Sequence, residues 1–283
     1  MKQKYWIYAS LCALIWSLMS VFIRLVFGSF SAISLAAART WLSAIIMLII
    51  CVITKVPPPK TRDIPLFFIT GITGFAGYFT LYNIGFKLVT VATGNVLVAA
   101  APFFTALIAW VFLKERIRPL GWFFIGVSFI GIIILAFWDG VLSINIGVLW
   151  LLVAAASFSV YSLMLRRLTL RYKSVQCSSY SMMASAIMMT PFLPVAISDA
   201  IAAPFIANAV MVSICIACSF SFIFWAQALS LAKRAADVVN FLYVPPFLGA
   251  ILAFIIYREF PGWGTIIGGI VILFGLWMYQ RKA

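Results

Sequence analysis

The sequence contains no histidine and few charged residues of either sign. Charged side chains make up 9% of its 283 residues, whereas an ordinary soluble domain carries roughly 25%. Water therefore cannot be the solvent for most of the surface. The missing histidine also removes the commonest general base and metal ligand. Together these absences argue against a soluble enzyme and indicate a protein that is solvated by lipid.

Acidic residues are especially scarce, since the chain has 6 Asp and Glu residues but 20 Lys and Arg residues. A net charge of +14 is typical of proteins that bind nucleic acid or anionic lipid. Here the basic residues lie in short clusters between apolar runs, which suits loops beside an anionic leaflet and provides no continuous groove for a polynucleotide. We expect membrane lipid as a partner and no nucleic acid.

Cysteine usage does not indicate a disulfide framework, because the five cysteines are odd in number and scattered through apolar segments. Cys215 and Cys218 form a C-x-x-C pair inside an apolar run. Without histidine nearby, we interpret this pair as buried packing residues and not as a redox or zinc site. The sequence predicts neither a metal nor a cofactor.

Apolar runs of about 20 residues, long enough to cross a bilayer as helices, fill the chain. They are continuously apolar and lack the alternation of a β-barrel, so we predict an all-α membrane protein with ten transmembrane helices. The first run has the basic start of a signal peptide but is too long for one, and we expect it to remain as a span. The predicted spans are 5–27, 30–54, 64–87, 90–113, 119–138, 145–165, 177–198, 206–231, 235–257 and 262–280.

Basic residues fall mainly into alternate loops, which predicts orientation. The loops on one side of the predicted membrane contain only three basic residues, Arg24, Lys87 and Arg258. We therefore expect both termini in the cytoplasm and the protein in the cell's inner membrane. The 16 basic residues on the other side are Lys2, Lys4, Lys55, Lys60, Arg62, Lys114, Arg116, Arg118, Arg166, Arg167, Arg171, Lys173, Lys233, Arg234, Arg281 and Lys282.

The two halves of the sequence resemble each other at a nearly constant offset. At an offset of 142 the matches are Trp16 with Phe158, Ser17 with Ser159 and Arg24 with Arg166, and at 144 they are Asn83 with Gln227, Pro102 with Pro246, Lys114-Glu115 with Arg258-Glu259 and Gly131 with Gly275. We predict two five-helix repeats, residues 1–140 and 141–283. Five is an odd number of spans, so the second copy crosses the membrane inverted, as in many transporters.

Several of these segments resemble a known family. The chain has W-S-x-x-x-x-x-x-R in the first span, a lone Arg39 in the second, P-F-F-T-A-L-I-A-W-V-F-L-K-E-R ending the fourth and P-P-F-L-G-A-I-L-A-F-I-I-Y-R-E ending the ninth. In these features it resembles the EamA family of the drug/metabolite transporter superfamily. The resemblance implies ten helices, a central cavity between the halves and export of amino acids or other small metabolites. The second copy departs from it in charge, with Ser181 or Met183 at the place of Arg39.

Arg39 is the most conspicuous polar residue within a span. A central arginine costs on the order of 3 kcal/mol on insertion scales, so it should face the bundle interior. Two interpretations remain open. The guanidinium could bind a substrate carboxylate, or it could brace helices through backbone carbonyls and a loop acid.

Amide and aromatic side chains form a second group of candidates for a substrate-binding cavity that is apolar in body and polar at a few points. Tyr78 and Tyr82 are four residues apart and share a helix face. The alternative is that the amides join helices and the aromatic residues face lipid or its interfaces. The candidates are Trp16, Tyr78, Tyr82, Asn83, Asn95, Tyr161, Trp225, Gln227, Asn240 and Tyr243.

Pro102 and Pro246 fall near the middle of their predicted spans, where each removes a backbone donor and kinks the helix. Such breaks often form transporter sites, although a purely structural kink is an equally good interpretation. Glycines at 121, 126, 131, 264, 268 and 275 most simply permit close helix packing.

The acidic residues all fall near predicted span ends, so none is placed at mid-depth. Asp63, Glu115 and Asp237 belong to one face, and Asp139, Asp199 and Glu259 to the other. Small multidrug carriers, which resemble one half of this chain, use a first-helix Glu that is missing here. This disfavours a proton-coupled cation antiporter and favours zwitterionic or neutral, partly apolar substrates.

The leading hypothesis is a secondary exporter of amino acids or related metabolites that works by alternating access, and a monomer is possible. The alternatives are an uptake permease for a small neutral or zwitterionic solute and a membrane-embedded enzyme for lipid-linked groups. The enzyme would need clustered acids, a nucleophile or metal ligands, and a channel would need a filter sequence or rings of like charge. The sequence shows none of these, and without a G-x-x-x-x-G-K-[ST] motif it predicts no ATP hydrolysis.

Overall fold

The regular structure of the chain is helical. The computed structural model describes residues 4–113, 119–137, 145–232, 238 and 240–282. Its α-helices are α1 (Tyr5–Val26), α2 (Ala32–Ile53), α3 (Ile64–Gly71), α4 (Gly77–Lys87), α5 (Val91–Val98), α6 (Ala101–Leu113), α7 (Pro119–Phe137), α8 (Ile146–Leu168), α9 (Ser174–Met189), α10 (Leu193–Ala202), α11 (Phe205–Leu231), α12 (Val244–Tyr257) and α13 (Trp263–Lys282). Outside the described residues lie Lys2, Lys114, Glu115, Arg116, Arg118, Lys233, Arg234, Asp237 and Asp139.

Length and apolarity match these helices to a bilayer. Within the described ranges, seven helical segments are long and apolar enough to cross a membrane, and three shorter apolar helices accompany them. The shorter ones are Pro119–Ile134, Phe241–Tyr257 and Trp263–Tyr279. These ten segments correspond in order to the ten predicted spans. The prediction of an all-α membrane protein is confirmed.

Four of the spans are interrupted. The third contains a π-helical turn, Ile72–Ala76, between α3 and α4. The fourth breaks between α5 and α6, the seventh carries a 3-10 turn, Thr190–Phe192, and the ninth carries a 3-10 turn, Asn240–Tyr243. Interruptions of this kind free backbone groups and bend the helix.

Pro102 and Pro246 lie beside two of these interruptions. Pro102 is the second residue of α6 and Pro246 the third residue of α12, so each sits in a first turn and not, as the sequence suggested, within a continuous helix. A proline there leaves no hydrogen bond unmade, because the first N–H groups of a helix have no partner within it. The break itself falls just before the proline.

Glycines bring α7 and α13 into backbone contact. A Cβ at Gly131 would lie 2.7 Å from the backbone nitrogen of Ile272, and one at Gly275 would lie 2.8 Å from the backbone nitrogen of Ser128. The contacts are reciprocal at the repeat offset of 144. Residues with higher numbers in α13 contact residues with lower numbers in α7, so the two helices are antiparallel. Reciprocal contacts between equivalent residues are the mark of a twofold relation.

Polar contacts tie the two halves together at opposite ends of the bundle. At one end Asp63 pairs with Arg171 at 3.2 Å and accepts the hydroxyl hydrogen of Tyr172 at 2.6 Å. At the other end Asp199 accepts the backbone N–H of Ser31 at 3.1 Å. Each contact joins the turn after the first helix of one repeat to a later segment of the other repeat.

Substituting Gly131 tests the α7–α13 contact. Gly131→Val should lower the thermal unfolding midpoint in detergent by roughly 3–10 °C, because overpacking costs about 1–3 kcal/mol. Gly126 is the matched control on the same helix. Contrary to the sequence interpretation it permits no close contact, since a Cβ there meets nothing within 4 Å. Equal midpoints for Gly131→Val and Gly126→Val would contradict the packing described here.

Candidate functional site

An interior cavity lies where helices of both halves meet. It encloses about 60 Å³, which is room for a few water molecules but not for a metabolite. A larger ligand would require the helices to part. The lining residues are Trp16, Met19, Ser20, Ile23, Arg39, Tyr78, Phe79, Tyr82, Asn95, Val98, Ala99, Phe158, Phe222, Leu242 and Pro245.

One wall of the cavity is a packed aromatic cluster around Trp16. Its ring lies 5.1 Å from that of Trp225, 5.6 Å from Phe158 and at right angles to it, and 5.6 Å from Phe222. The indole N–H donates to the hydroxyl of Ser221 at 3.0 Å. Edge-to-face and tilted contacts are favourable aromatic geometries, so this wall is rigid and its surface is apolar.

Two tyrosines from α4 form the facing wall. The rings of Tyr78 and Tyr82 lie 5.7 Å apart, and Tyr82 stacks on Phe86 at 4.6 Å. Tyr78 also reaches Phe158 across the cavity at 5.3 Å. The π-helical turn ends directly before α4, and turns of this kind are frequent at functional sites because they change the direction of the side chains that follow.

Arg39 carries the positive charge of the cavity. Its side chain is 4% exposed, and its guanidinium carbon lies 4.0 Å from the ring centre of Phe79. Its Nε and Nη1 atoms have no hydrogen-bond partner. No carboxylate of the described residues lies within 4.0 Å of it. Unpaired buried donors are costly, and these are free to bind an acceptor.

A polar bridge of small residues lies elsewhere in the lining. Asn95 donates from Nδ2 to the hydroxyl of Ser20 at 3.0 Å, and Ser20 donates to the carbonyl of Ser17 at 2.8 Å. A Cβ at Gly249 would lie 2.1 Å from Asn95 Nδ2. Glycine at 249 therefore allows α12 to approach the amide, and the bridge joins α1, α5 and α12.

Five of the residues predicted from the sequence meet in this cavity. They are Trp16, Arg39, Tyr78, Tyr82 and Asn95. They come from α1, α2, α4 and α5, which all belong to the first repeat. The cavity therefore unites four segments that are distant along the chain.

Five of the other substrate-binding candidates do not line the cavity. Trp225 and Tyr161 are buried behind its aromatic walls, with the Tyr161 ring 5.6 Å from Phe158. Asn83 donates to the carbonyl of Ala32 at 3.1 Å, so its amide joins α4 to α2. An amide buried between helices is stabilised by such a bond.

Two further candidates also lie away from the lining. Gln227 is half-buried near the end of α11, and Tyr243 ends the 3-10 turn before α12. The side chain of Asn240 falls outside the described part of the chain. Pro245 lines the cavity in place of its neighbour Pro246.

Sequence reasoning missed Phe79, Phe158, Phe222 and Ser20. Phe158 is the repeat equivalent of Trp16, and that relation could have revealed it. Phe79 and Ser20 lacked a comparable signal. Phe222 is one of 26 phenylalanines in the chain, and most phenylalanines in a lipid-facing bundle cannot be assigned to the interior by residue type.

Comparison with known proteins gives a family match over both halves. The sequence model of the EamA-like transporter family matches residues 3–137 and again residues 145–280. A solved crystal structure superimposes with a TM-score of 0.68 at 17% identity, covering 98% of this chain and 96% of that one. At that identity the likeness concerns the fold alone.

Several curated proteins are similar over most of their length. The transporter YdfC of Bacillus subtilis is 28% identical over 243 residues, which cover 86% of this chain and 79% of YdfC. A probable terminal-alkyne amino-acid exporter of Streptantibioticus cattleyicolor is 26% identical, with 92% and 88% covered. An S-adenosylmethionine uptake transporter of Rickettsia prowazekii is 26% identical, with 83% and 78% covered.

Replacing Arg39 distinguishes a bracing arginine from one that binds a ligand. Because Nε and Nη1 bind nothing in the protein, Arg39→Met should leave the thermal midpoint of the ligand-free protein unchanged or raise it. Arg166 is the control, since it donates to the carbonyls of Leu229 at 2.5 Å and Ala232 at 3.0 Å. Arg166→Met should lower the midpoint by roughly 3–10 °C. A comparable fall for Arg39→Met would show that Arg39 braces the helices.

Proposed function

The chain belongs to the EamA-like transporter family, and from that premise we propose that it is a secondary exporter of amino acids or related small metabolites. It is a multi-pass membrane protein whose relatives are named as transporters. Family membership sets aside the alternative of a membrane-embedded enzyme for lipid-linked groups. The proposal places the protein in the cell's inner membrane with both termini in the cytoplasm.

The unpartnered guanidinium of Arg39 carries the proposal. A carboxylate is the acceptor that best suits a planar fork of N–H donors, and such bonds are about twice as strong as neutral ones. Nε and Nη1 both lack a partner, and each forms one half of a carboxylate-binding edge together with Nη2. A substrate carboxylate that enters the cavity would bind along one of these edges and would neutralise the buried charge.

The rest of the cavity suits the remainder of an amino acid. Trp16, Tyr78 and Phe158 offer apolar faces, which can pack against an apolar side chain and can attract an ammonium group. Asn95 and Ser20 add hydrogen-bonding groups. No carboxylate of the described residues lines the cavity, so a carboxylate-free cation would meet Arg39 without a counter-charge. These features favour zwitterionic substrates over cations.

Alternating access follows from the repeat architecture in this proposal. The first unit is residues 1–140 and the second is residues 141–283. The cavity opens to one face and then the other as the units rock around it. The reciprocal glycine contact of α7 with α13 is a suitable pivot, since a twofold-related contact looks the same from either unit. The interrupted spans beside Tyr78 and Pro245 supply flexible points in the cavity wall.

Direction of transport is the finer part of the proposal. The Streptantibioticus relative is named as an exporter and the Rickettsia relative as an uptake transporter, so uptake of a small zwitterionic or neutral solute is the second candidate. The gradient, not the fold, sets the direction of net flux through a secondary transporter. The amino-acid exporter aligns over more of this chain, and we favour export.

A counterflow assay in proteoliposomes tests the role of Arg39. With a panel of amino acids and their decarboxylated amines, we expect Arg39→Met to raise the half-saturating concentration of carboxylate substrates by roughly 10- to 100-fold, the effect of losing a charge-assisted hydrogen bond. The half-saturating concentration of Arg39→Lys should lie between those of the parent and Arg39→Met, because lysine keeps the charge but lacks the planar fork of donors. Arg167→Met, which alters an exposed arginine of α8, is the matched control.

Two results would count against this function. If no solute of the panel exchanges faster than through empty liposomes, amino-acid transport loses its support. If acids and amines exchange alike, and Arg39→Met equals the control, Arg39 is not the carboxylate site.

Mapping the termini tests the orientation. A tag at either end should be protected in intact cells and accessible in inverted membrane vesicles, because both ends are expected in the cytoplasm. A cysteine introduced at Leu170, an exposed loop residue, should react from the same side as the tags. Termini on opposite faces would exclude the even number of crossings on which the inverted repeat depends.

A further inference from the structure

An ion pair closes the bundle at the end of α1. Nη1 of Arg24 lies 3.3 Å from Oε2 of Glu259 and 3.3 Å from the carbonyl oxygen of Val89. The other carboxylate oxygen of Glu259 accepts the backbone N–H of Val91 at 3.1 Å. The cluster therefore joins the end of α1, the turn before α5 and the segment that follows α12.

Arg24 adjoins both the cavity and a wider space outside it. Beyond the pair lies a polar vestibule of about 570 Å³, whose lining includes Arg24, Lys87 and Thr90. On the inner side, Arg24 directly follows the cavity-lining residue Ile23. Val91 lies about one helical turn from the cavity amide of Asn95. The pair therefore lies next to the residues of α1 and α5 at which the cavity and the vestibule approach each other.

The contact also crosses the boundary between the repeats. Arg24 and Val89 belong to the first repeat, and Glu259 belongs to the second. A second contact reinforces it, since the hydroxyl of Tyr257 donates to the carbonyl of Val21 at 2.9 Å. Moving α12 away from α1 would have to break both contacts. The side chains of Arg24 and Glu259 are 37% and 15% exposed, so water can solvate the charges once they separate, and partly exposed pairs are weak enough to break reversibly.

The same arginine recurs in the second repeat at the opposite face. Arg166 stands 142 residues after Arg24 and donates to the carbonyl of Ala232, which stands 143 residues after Val89. In each repeat an arginine in the last turn of the first helix thus holds the chain just after the third span. The sequence equivalent of Glu259 is Glu115, which falls outside the described residues.

We propose that Arg24 and Glu259 form a gate, and that separating them opens the cavity to the vestibule on the face where α1 ends. This proposal rests on the proposed transport function, because a gate has a role only if a solute passes through the cavity. The gate itself can be measured without any substrate.

Thiol labelling measures the gate directly. The five cysteines, all buried, are replaced by alanine and Ser20→Cys serves as the reporter in the cavity. A charged, membrane-impermeant methanethiosulfonate is added to intact cells or to inverted vesicles, which present opposite faces. From the face of Arg24 we expect Arg24→Gln and Glu259→Gln each to speed labelling about tenfold, within the usual range of a coupling between two states, without an increase from the other face.

Two further variants separate pairing from a general effect of charge. Lys87→Gln removes another cation of the vestibule that does not contact Glu259, and it should leave labelling unchanged. The charge-swapped variant Arg24→Glu/Glu259→Arg should return the rate most of the way to the parent value. A fluorescence thermal midpoint within about 2 °C of the parent is required of every variant, so that unfolding is not mistaken for opening.

The gate is overturned if neither single variant speeds labelling, or if the swapped variant is labelled as fast as the single ones. Failure of the transport proposal would look different. In that case the labelling rates change as expected while no solute exchanges in the counterflow assay.

Discussion

The arrangement of the interior depends on one unusual constraint, a guanidinium buried among apolar helices with two N–H groups that lack an acceptor. In a bundle surrounded by lipid such donors are costly unless water in the cavity, a ligand or a movement of the helices supplies an acceptor. Phe79 covers one face of the group, and the two aromatic walls keep the space in front of it small. The cavity therefore contains hydrogen-bond donors for which the protein supplies no acceptor.

Several polar side chains elsewhere in the structure make hydrogen bonds that hold helices together. Asn83 bonds to a carbonyl of α2, Ser159 bonds to carbonyls of α6 and α8, and Ser178 bonds to a carbonyl of α11. Such bonds replace the hydrophobic drive that is missing between helices in lipid. Among the described buried groups without a partner, which include the indole N–H of Trp41 and the hydroxyl of Ser179, Arg39 is the charged one. The contrast supports a role in binding, because a bracing arginine such as Arg166 has its carbonyl partners in place.

Rigidity and mobility are distributed in a way that suits a rocking motion. The α7–α13 pair packs backbone against backbone at glycines, and any slippage there would cost close contacts. The segments around the cavity are interrupted by a π turn, a 3-10 turn and a break before a proline, and they meet the other repeat through side chains. At the end of α1 the contact is an ion pair of partly exposed groups, which can exchange protein partners for water. Close-packed helix pairs together with replaceable contacts around the cavity would suit the alternating access proposed above.

Composition and spacing alone determined that the chain is an all-helical membrane protein with repeated halves, because lipid forces every span to be long, apolar and helical. They also identified Arg39, since a charge within a span is conspicuous. Periodicity could not separate the inner from the outer face of a helix that is apolar on every side. The sequence therefore could not tell that Asn95 lines the cavity and Asn83 does not, or that Phe158 lines it and most other phenylalanines do not. Only the tertiary structure decided which of them meet, because the direction of a side chain in such a bundle is set by the packing of helices that are far apart in sequence.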